Sequence, residues 1–172
     1  MPQLSIGNLV LGNKPVIKST QYGSIFLGKA ILTNTATINS VDVNNSIILY
    51  LGNSSSYSNV QVEVYLNYIT LTNATTVTCT RGGTGTFGYD ASGYFVVIEF
   101  YPGIIKSIQS GTGSSVINTV NKNKSIIFPR GCYSESSGSE NLALMLNYVT
   151  ITDNTHVSTW NGQERWTVVE FY

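Results

Sequence analysis

Apolar and polar residues alternate with a period of two in two separate stretches of this chain. Val62, Val64, Leu66 and Tyr68 alternate with Gln61, Glu63, Tyr65 and Asn67, and Leu142, Leu144, Leu146 and Tyr148 keep the same phase further on. That period marks a strand with one face on a core. Ile69-Leu71 and Val149-Ile151 then shift the apolar phase by one residue, which predicts a bulge or bend at each Asn-Tyr pair. Thr72-Asn73-Ala74 and Thr152-Asp153-Asn154 read as the turns that follow. Near the end of each half, Ile98 with Phe100 and Val169 with Phe171 share a face. The same alternation puts Glu99 and Glu170 on the opposite face, as outward residues. No segment carries a helical period.

The pattern occurs twice. Ile38-Asn39-Ser40-Val41 returns as Ile117-Asn118-Thr119-Val120, and Ser46-Ile47-Ile48 as Ser125-Ile126-Ile127. Leu66-Asn67-Tyr68-Ile69-Thr70 returns as Leu146-Asn147-Tyr148-Val149-Thr150, and Val97-Ile98-Glu99-Phe100-Tyr101 as Val168-Val169-Glu170-Phe171-Tyr172. The opening Ile17-Lys18-Ser19-Thr20-Gln21-Tyr22-Gly23 matches Ile105-Lys106-Ser107-Ile108-Gln109-Ser110-Gly111. Offsets change only across Gly- and Ser-rich stretches, where loops absorb insertions. The expected architecture is all-β: an N-terminal arm at 1–16 and two tandem antiparallel β-sandwich domains at 17–101 and 105–172. Pro102-Gly103 forms the turn between them.

Composition sharpens this reading. Val, Ile, Thr, Tyr, Phe and Trp number 70 of 172 residues, against five Ala and six Glu, a balance that favours strands. Only 10% of residues are charged, and nine basic residues balance nine acidic ones. Nothing in that charge favours nucleic acid or an anionic membrane. No apolar run reaches the length of a membrane span, and the chain opens without a signal-like segment. Domains of about 70 residues have small cores, so packing between the copies or between subunits is expected to supplement them. Sparse charge points the same way, to an obligate homo-oligomer, with a trimer as the first expectation.

Candidate chemistry is thin. Cys79 and Cys132 are expected to be unpaired thiols, with a bridge between them as the alternative, and neither has a neighbour at metal-ligand spacing. His156 alternates with Val157 and is expected to face solvent. Gly82-Gly83-Thr84-Gly85 lacks the lysine and helix of a phosphate loop. Glu99 and Glu170 occupy equivalent places in separate copies and are no evident glycosidase pair. No catalytic residue, metal site or cofactor follows, and the chain reads as a non-enzyme. Two segments carry interaction candidates. Leu9-Val10-Leu11 has no counterpart in the repeat, and this short apolar strand could pair with its own chain or with a neighbouring sheet edge. Trp160 and Trp166, with Asn161, Gln163 and Glu164 between them, could stack on and hydrogen-bond a glycan, or pack in the core or an interface.

A unit opening Ile-Lys-Ser-x-Gln-x-Gly, passing through Leu71 to Thr78 and closing on Val-x-Glu-Phe resembles units of tailed-bacteriophage structural proteins. Copy two departs from the pattern at Thr152 to His156 and in its Trp-flanked loop. The resemblance implies a virion component, a capsid decoration, fibre-base or tail-associated protein, whose partners are copies of itself and other virion proteins. A host surface glycan is the alternative partner. The strand order is also similar to that of small H-type sandwich lectins, without a matching sugar-site motif.

Overall fold

In a computed structural model of the chain, the described residues are 10–11, 14–55, 67–82, 89–132, 148–160 and 162–172. They form antiparallel strands and, apart from single 3-10 turns at Val43–Asn45 and Lys122–Lys124, no helix. A short hairpin, β1 (Val10–Leu11) and β2 (Lys14–Pro15), precedes β3 (Ile17–Leu27), β4 (Thr33–Thr37), β5 (Ser46–Ser55), β6 (Asn67–Asn73), β7 (Thr76–Arg81) and β8 (Ala91–Phe100). The order then recurs as β9 (Ile105–Thr112), β10 (Ser115–Val116), β11 (Ser125–Cys132), β12 (Val149–Asp153), β13 (His156–Thr159) and β14 (Glu164–Phe171). The pairing recurs with it. β3-β8-β5 matches β9-β14-β11, and β4-β7-β6 matches β10-β13-β12. Where Gly131 of β11 meets Tyr68 of β6, the ladders join into one six-stranded sheet, β4-β7-β6-β11-β14-β9.

Three apolar clusters hold these sheets. Ile25, Leu27, Val41, Ile48, Ile69 and Phe95 belong to one lying wholly within copy one. Ile117, Val120, Ile151, Val157, Trp166 and Val168 form its counterpart in copy two. The third lies between the copies, with Ile47, Val96, Ile98 and Phe100 from the first against Ile105 and Val169 from the second. Val16, placed in the arm by the repeat comparison, is buried in that shared cluster. β8 and β14 are thus covered on both faces, which explains their runs of consecutive apolar residues. Packing between the two halves of the sequence thus adds a third cluster to the two that lie within them.

The two carboxylates are where the structure departs most from the alternation rule. Glu99 and Glu170 do not face outward: both are buried. Glu99 Oε1 accepts from Lys18 Nζ at 2.8 Å and from the Asp42 N–H at 3.0 Å, and Ser19 Oγ donates to Oε2 at 3.0 Å. Glu170 repeats this with Lys106 Nζ, the Asn121 N–H and Ser107 Oγ at 2.9, 2.9 and 3.3 Å. With the face opposite each glutamate turned to the shared core, the glutamate lies on the inner face of its own copy and must be hydrogen-bonded there. A β-bulge at Lys18, and an equivalent one at Lys106, brings the lysine to its glutamate.

The same geometry accounts for the rest of the repeated heptad. Gln21 both donates to the Asn39 carbonyl and accepts its N–H, at 3.0 and 2.7 Å, and Gln109 does the same at Asn118 with the same distances. Gly23 and Gly111 lie under aromatic rings. A Cβ on either would come within 2.4 Å of Phe95 Cζ or Trp166 Cζ2. Lys, Ser, Gln and Gly therefore recur together because each contacts another repeated element.

The bulge expected at Asn67-Tyr68 falls elsewhere, while Asn147 of the second pair lies outside the described residues. Asn67 to Leu71 pair regularly with β7, and register breaks between Leu71 and Asn73, and again between Ile151 and Asp153. The extra residue sits beside the hairpin turn, where Asn73 and Asp153 bend back to accept the N–H of Thr75 and Thr155. Residues 61–66 and 142–147, which carried the alternation signal, lie outside the described residues.

Candidate functional site

The four candidate regions differ in what they present. β1 pairs with β2 of its own chain, Val10 opposite Pro15 and Leu11 opposite Lys14, while Leu9 lies outside the described residues.

The Trp-flanked loop does not bring its two tryptophans together. Trp160 is 62% exposed and Trp166 only 2%. Trp166 sits at the position of Phe95, its ring over Gly111, and its Nε1 donates to the Gly113 carbonyl at 2.8 Å. Glu164 is buried and Gln163 half-buried, while Asn161 lies outside the described residues. Repetition of strand phase makes Trp166 a core residue, so the aromatic partner of Trp160 is instead Tyr148. The two rings meet edge to face at 6.1 Å, both exposed. Below them, His156 faces solvent as expected and Nδ1 lies 2.9 Å from Asp153 Oδ1. That hydrogen bond, with those from Thr155, lowers the Asp153 carboxyl to about 2.

At the opposite kind of site, apolar side chains stand on a fixed loop. Phe26, Ile31 and Leu32 are exposed around the 28–30 turn, with Phe26 and Ile31 flanking Gly28. Arg81, fully buried, holds this loop from behind. Its Nη2 donates to the carbonyls of Leu27 (2.7 Å), Gly28 (3.2 Å) and Tyr89 (2.8 Å), and its Nε to that of Ile31 (2.9 Å). Asp90 accepts the Lys29 N–H at 3.0 Å, and Asn34 donates to the Phe26 carbonyl at 2.8 Å. Ala30 at the tip has φ of 62°, a left-handed conformation rare outside glycine.

The fourth region is a cleft of about 400 Å³ where the copies meet. Ser46 and Thr70 line it from copy one, and Ser110, Thr167 and Arg130 from copy two. Arg130 and Gly131 form a bulge in β11, equivalent to Leu51 and Gly52 in β5. Leu51 is 54% exposed, whereas Arg130 is 8% exposed because its bulge abuts copy one. Arg130 Nε donates to the Trp166 carbonyl at 3.3 Å, opposite Pro129, which has no N–H to offer. Its Nη1 donates to Thr70 Oγ1 at 3.2 Å. Arg165, in the place of Tyr94, lies over the Tyr68 ring at 4.6 Å and donates to Thr112 Oγ1 at 2.7 Å. Burial and then the nearby Arg165 charge depress the Arg130 guanidinium.

Composition alone hid these arginines, since nine cations in a neutral chain attract no notice. The signal available was the repeat itself: Leu51 and Tyr94 of copy one become Arg130 and Arg165 in otherwise matching strands. Among the described residues, no group of three or more His, Cys, Asp or Glu could hold a metal ion. Compared with known protein families, curated proteins and solved structures, the chain matches none of them.

Proposed function

We propose that the chain is a non-enzymatic structural component working through protein–protein assembly, built as two tandem β-sandwiches locked by a shared core. The resemblance of its repeat to tailed-phage structural units makes a virion the proposed setting, as capsid decoration, fibre-base or tail-associated protein. The observation that carries the assembly reading is the loop bearing Phe26, Ile31 and Leu32. Large apolar side chains on a loop fixed by a buried arginine bind with little ordering cost, which is how association hot spots are built. The proposed first partner is another copy of the chain, in a trimer. Light scattering of the chain and of a Phe26→Ser, Leu32→Ser variant tests this. The variant should fall to monomer mass while keeping its β-sheet circular dichroism. A variant that keeps the parent's oligomeric mass refutes the surface. Localisation of the chain in purified particles by electron cryomicroscopy tests the virion setting, and absence from particles refutes it.

The exposed Trp160–Tyr148 pair favours a second reading, a glycan-binding module whose sugar face stacks on this platform in place of the Trp160–Trp166 pair. Glycan-array binding that survives Trp160→Ala would exclude it.

A further inference from the structure

We propose that the cleft between the two copies binds a small oxyanion, a carboxylate, phosphate or sulfate group, with the Arg130 guanidinium as its principal contact. This does not depend on the assembly reading, because it rests on charge and geometry inside one chain.

Arginine is almost never buried without a counter-charge, because the ion loses its hydration. Arg130 is 8% exposed, and its hydrogen-bond partners are a carbonyl and a hydroxyl, both neutral. No carboxylate among the described residues makes an ion pair with it. After burial, the strongest influence on it is the charge of a second cation, Arg165, whose own partners are the Thr112 hydroxyl and the Tyr68 ring. Two neighbouring guanidinium groups with neutral partners make a positive field beside a cleft, and an anion entering it relieves both desolvation and mutual repulsion.

Folding of the bulge does not explain the arginine. Copy one makes the same bulge with Leu51, so backbone geometry tolerates an apolar residue there. One edge of the Arg130 group is used to satisfy the Trp166 carbonyl, but Nη2 makes no hydrogen bond to any described residue. The cleft also supplies what an oxyanion needs beyond charge. Thr70, Ser110 and Thr167 line it with hydroxyls, of which Ser110 and Thr167 already share a hydrogen bond at 2.9 Å, while the Ser46 hydroxyl is committed to the Asp42 carbonyl. Ile47 and Ile108 on the same walls provide an apolar surface for the body of the ligand. A volume of about 400 Å³ suits a monosaccharide-sized molecule.

Titration calorimetry of the full chain at low ionic strength, with inorganic phosphate, sulfate, glucuronate and neutral glucose as separate probes, tests the proposal. The expected result is saturable binding of at least one oxyanion, one per chain, with glucose at least tenfold weaker. Phosphate or sulfate binding alone assigns the site to a free inorganic anion, and glucuronate binding alone to a carboxylate-bearing small molecule. Arg130→Gln should weaken binding at least tenfold, and Arg165→Gln, whose side chain is only half-buried, by several-fold. If Arg130→Gln fails to fold, Arg165→Gln and the cleft-filling Ser110→Leu decide between outcomes. Binding unchanged in both, glucose binding as tightly as glucuronate, or no probe binding at all would each overturn the proposal.

Discussion

Replacing Glu170 with glutamine isolates the charge of one buried carboxylate while keeping its shape. Glu170 accepts three hydrogen bonds, two of them at 2.9 Å from Lys106 Nζ and the Asn121 N–H. Glutamine can still offer one oxygen to those donors, so the loss is the difference between charged and neutral acceptance, roughly 1 kcal/mol for the buried Asn121 bond. Lys106 is half-exposed and its pairing is screened by solvent, which adds only about 0.5 kcal/mol. The total is about 1.5 kcal/mol at pH 7, or a drop of roughly 0.75 M in urea midpoint at a slope near 2 kcal/mol/M. Acid should then erase the difference. The Asn121 N–H and Lys106 hold the Glu170 carboxyl below its ordinary 4.5 against the opposing effect of burial. Between the folded value and 4.5, the unfolded chain binds more protons, so wild-type stability rises with pH there. That contribution is complete above about pH 5 and vanishes as pH falls through the folded value. Urea titrations of both proteins at pH 7, 5, 4 and 3 read this directly. A stability difference that stays constant from pH 7 to pH 3, or is under about 0.3 kcal/mol at pH 7, refutes the role assigned to the carboxylate.

Three further outcomes follow from the packing. Gly111→Ala places a Cβ 2.4 Å from Trp166 Cζ2 and should cost about 1–3 kcal/mol, read as a lower melting temperature with a shift in tryptophan emission. Ala30→Gly relieves a left-handed φ of 62° and should stabilise the chain by up to about 1 kcal/mol, or at worst leave it unchanged; a clear loss would show that Ala30 is not strained. Burial pushes the Cys79 thiol up to about 12, so in a Cys132→Ser background it should resist a thiol reagent at pH 8 until the chain is unfolded. Rapid native labelling would place Cys79 outside the core.

Strand order was legible from the repeat, because the pairing order of the second half repeats that of the first among the described residues. The same repeat encoded the polar contacts, although single-residue alternation misread them. Glu99 looks outward when only its neighbours Ile98 and Phe100 are counted. Its burial follows from a fact alternation cannot hold, that the face carrying Ile98 and Phe100 is covered by the other copy. Trp166 was ambiguous for a similar reason. Its partner is a glycine 55 positions earlier in the chain, Gly111, and a glycine announces nothing about the ring above it. The repeat matches Gly23 with Gly111 and Phe95 with Trp166, and the structure shows that each glycine lies under its own copy's ring.

What repetition cannot encode is where the copies differ, and the differences fall on the surfaces between them. Leu51 and Arg130 occupy the same bulge, one facing solvent and the other facing copy one. Copy one has no second copy packed against that position, so an apolar residue there costs little and a charge gains little. In copy two the same backbone position is enclosed, and a charge survives only with compensating donors and acceptors around it. Val169 and Ile98 show the complementary case: matched residues, both buried, meet in the same shared core from opposite sides. Leu51 and Arg130 thus differ in that only the second bulge is enclosed by the other copy.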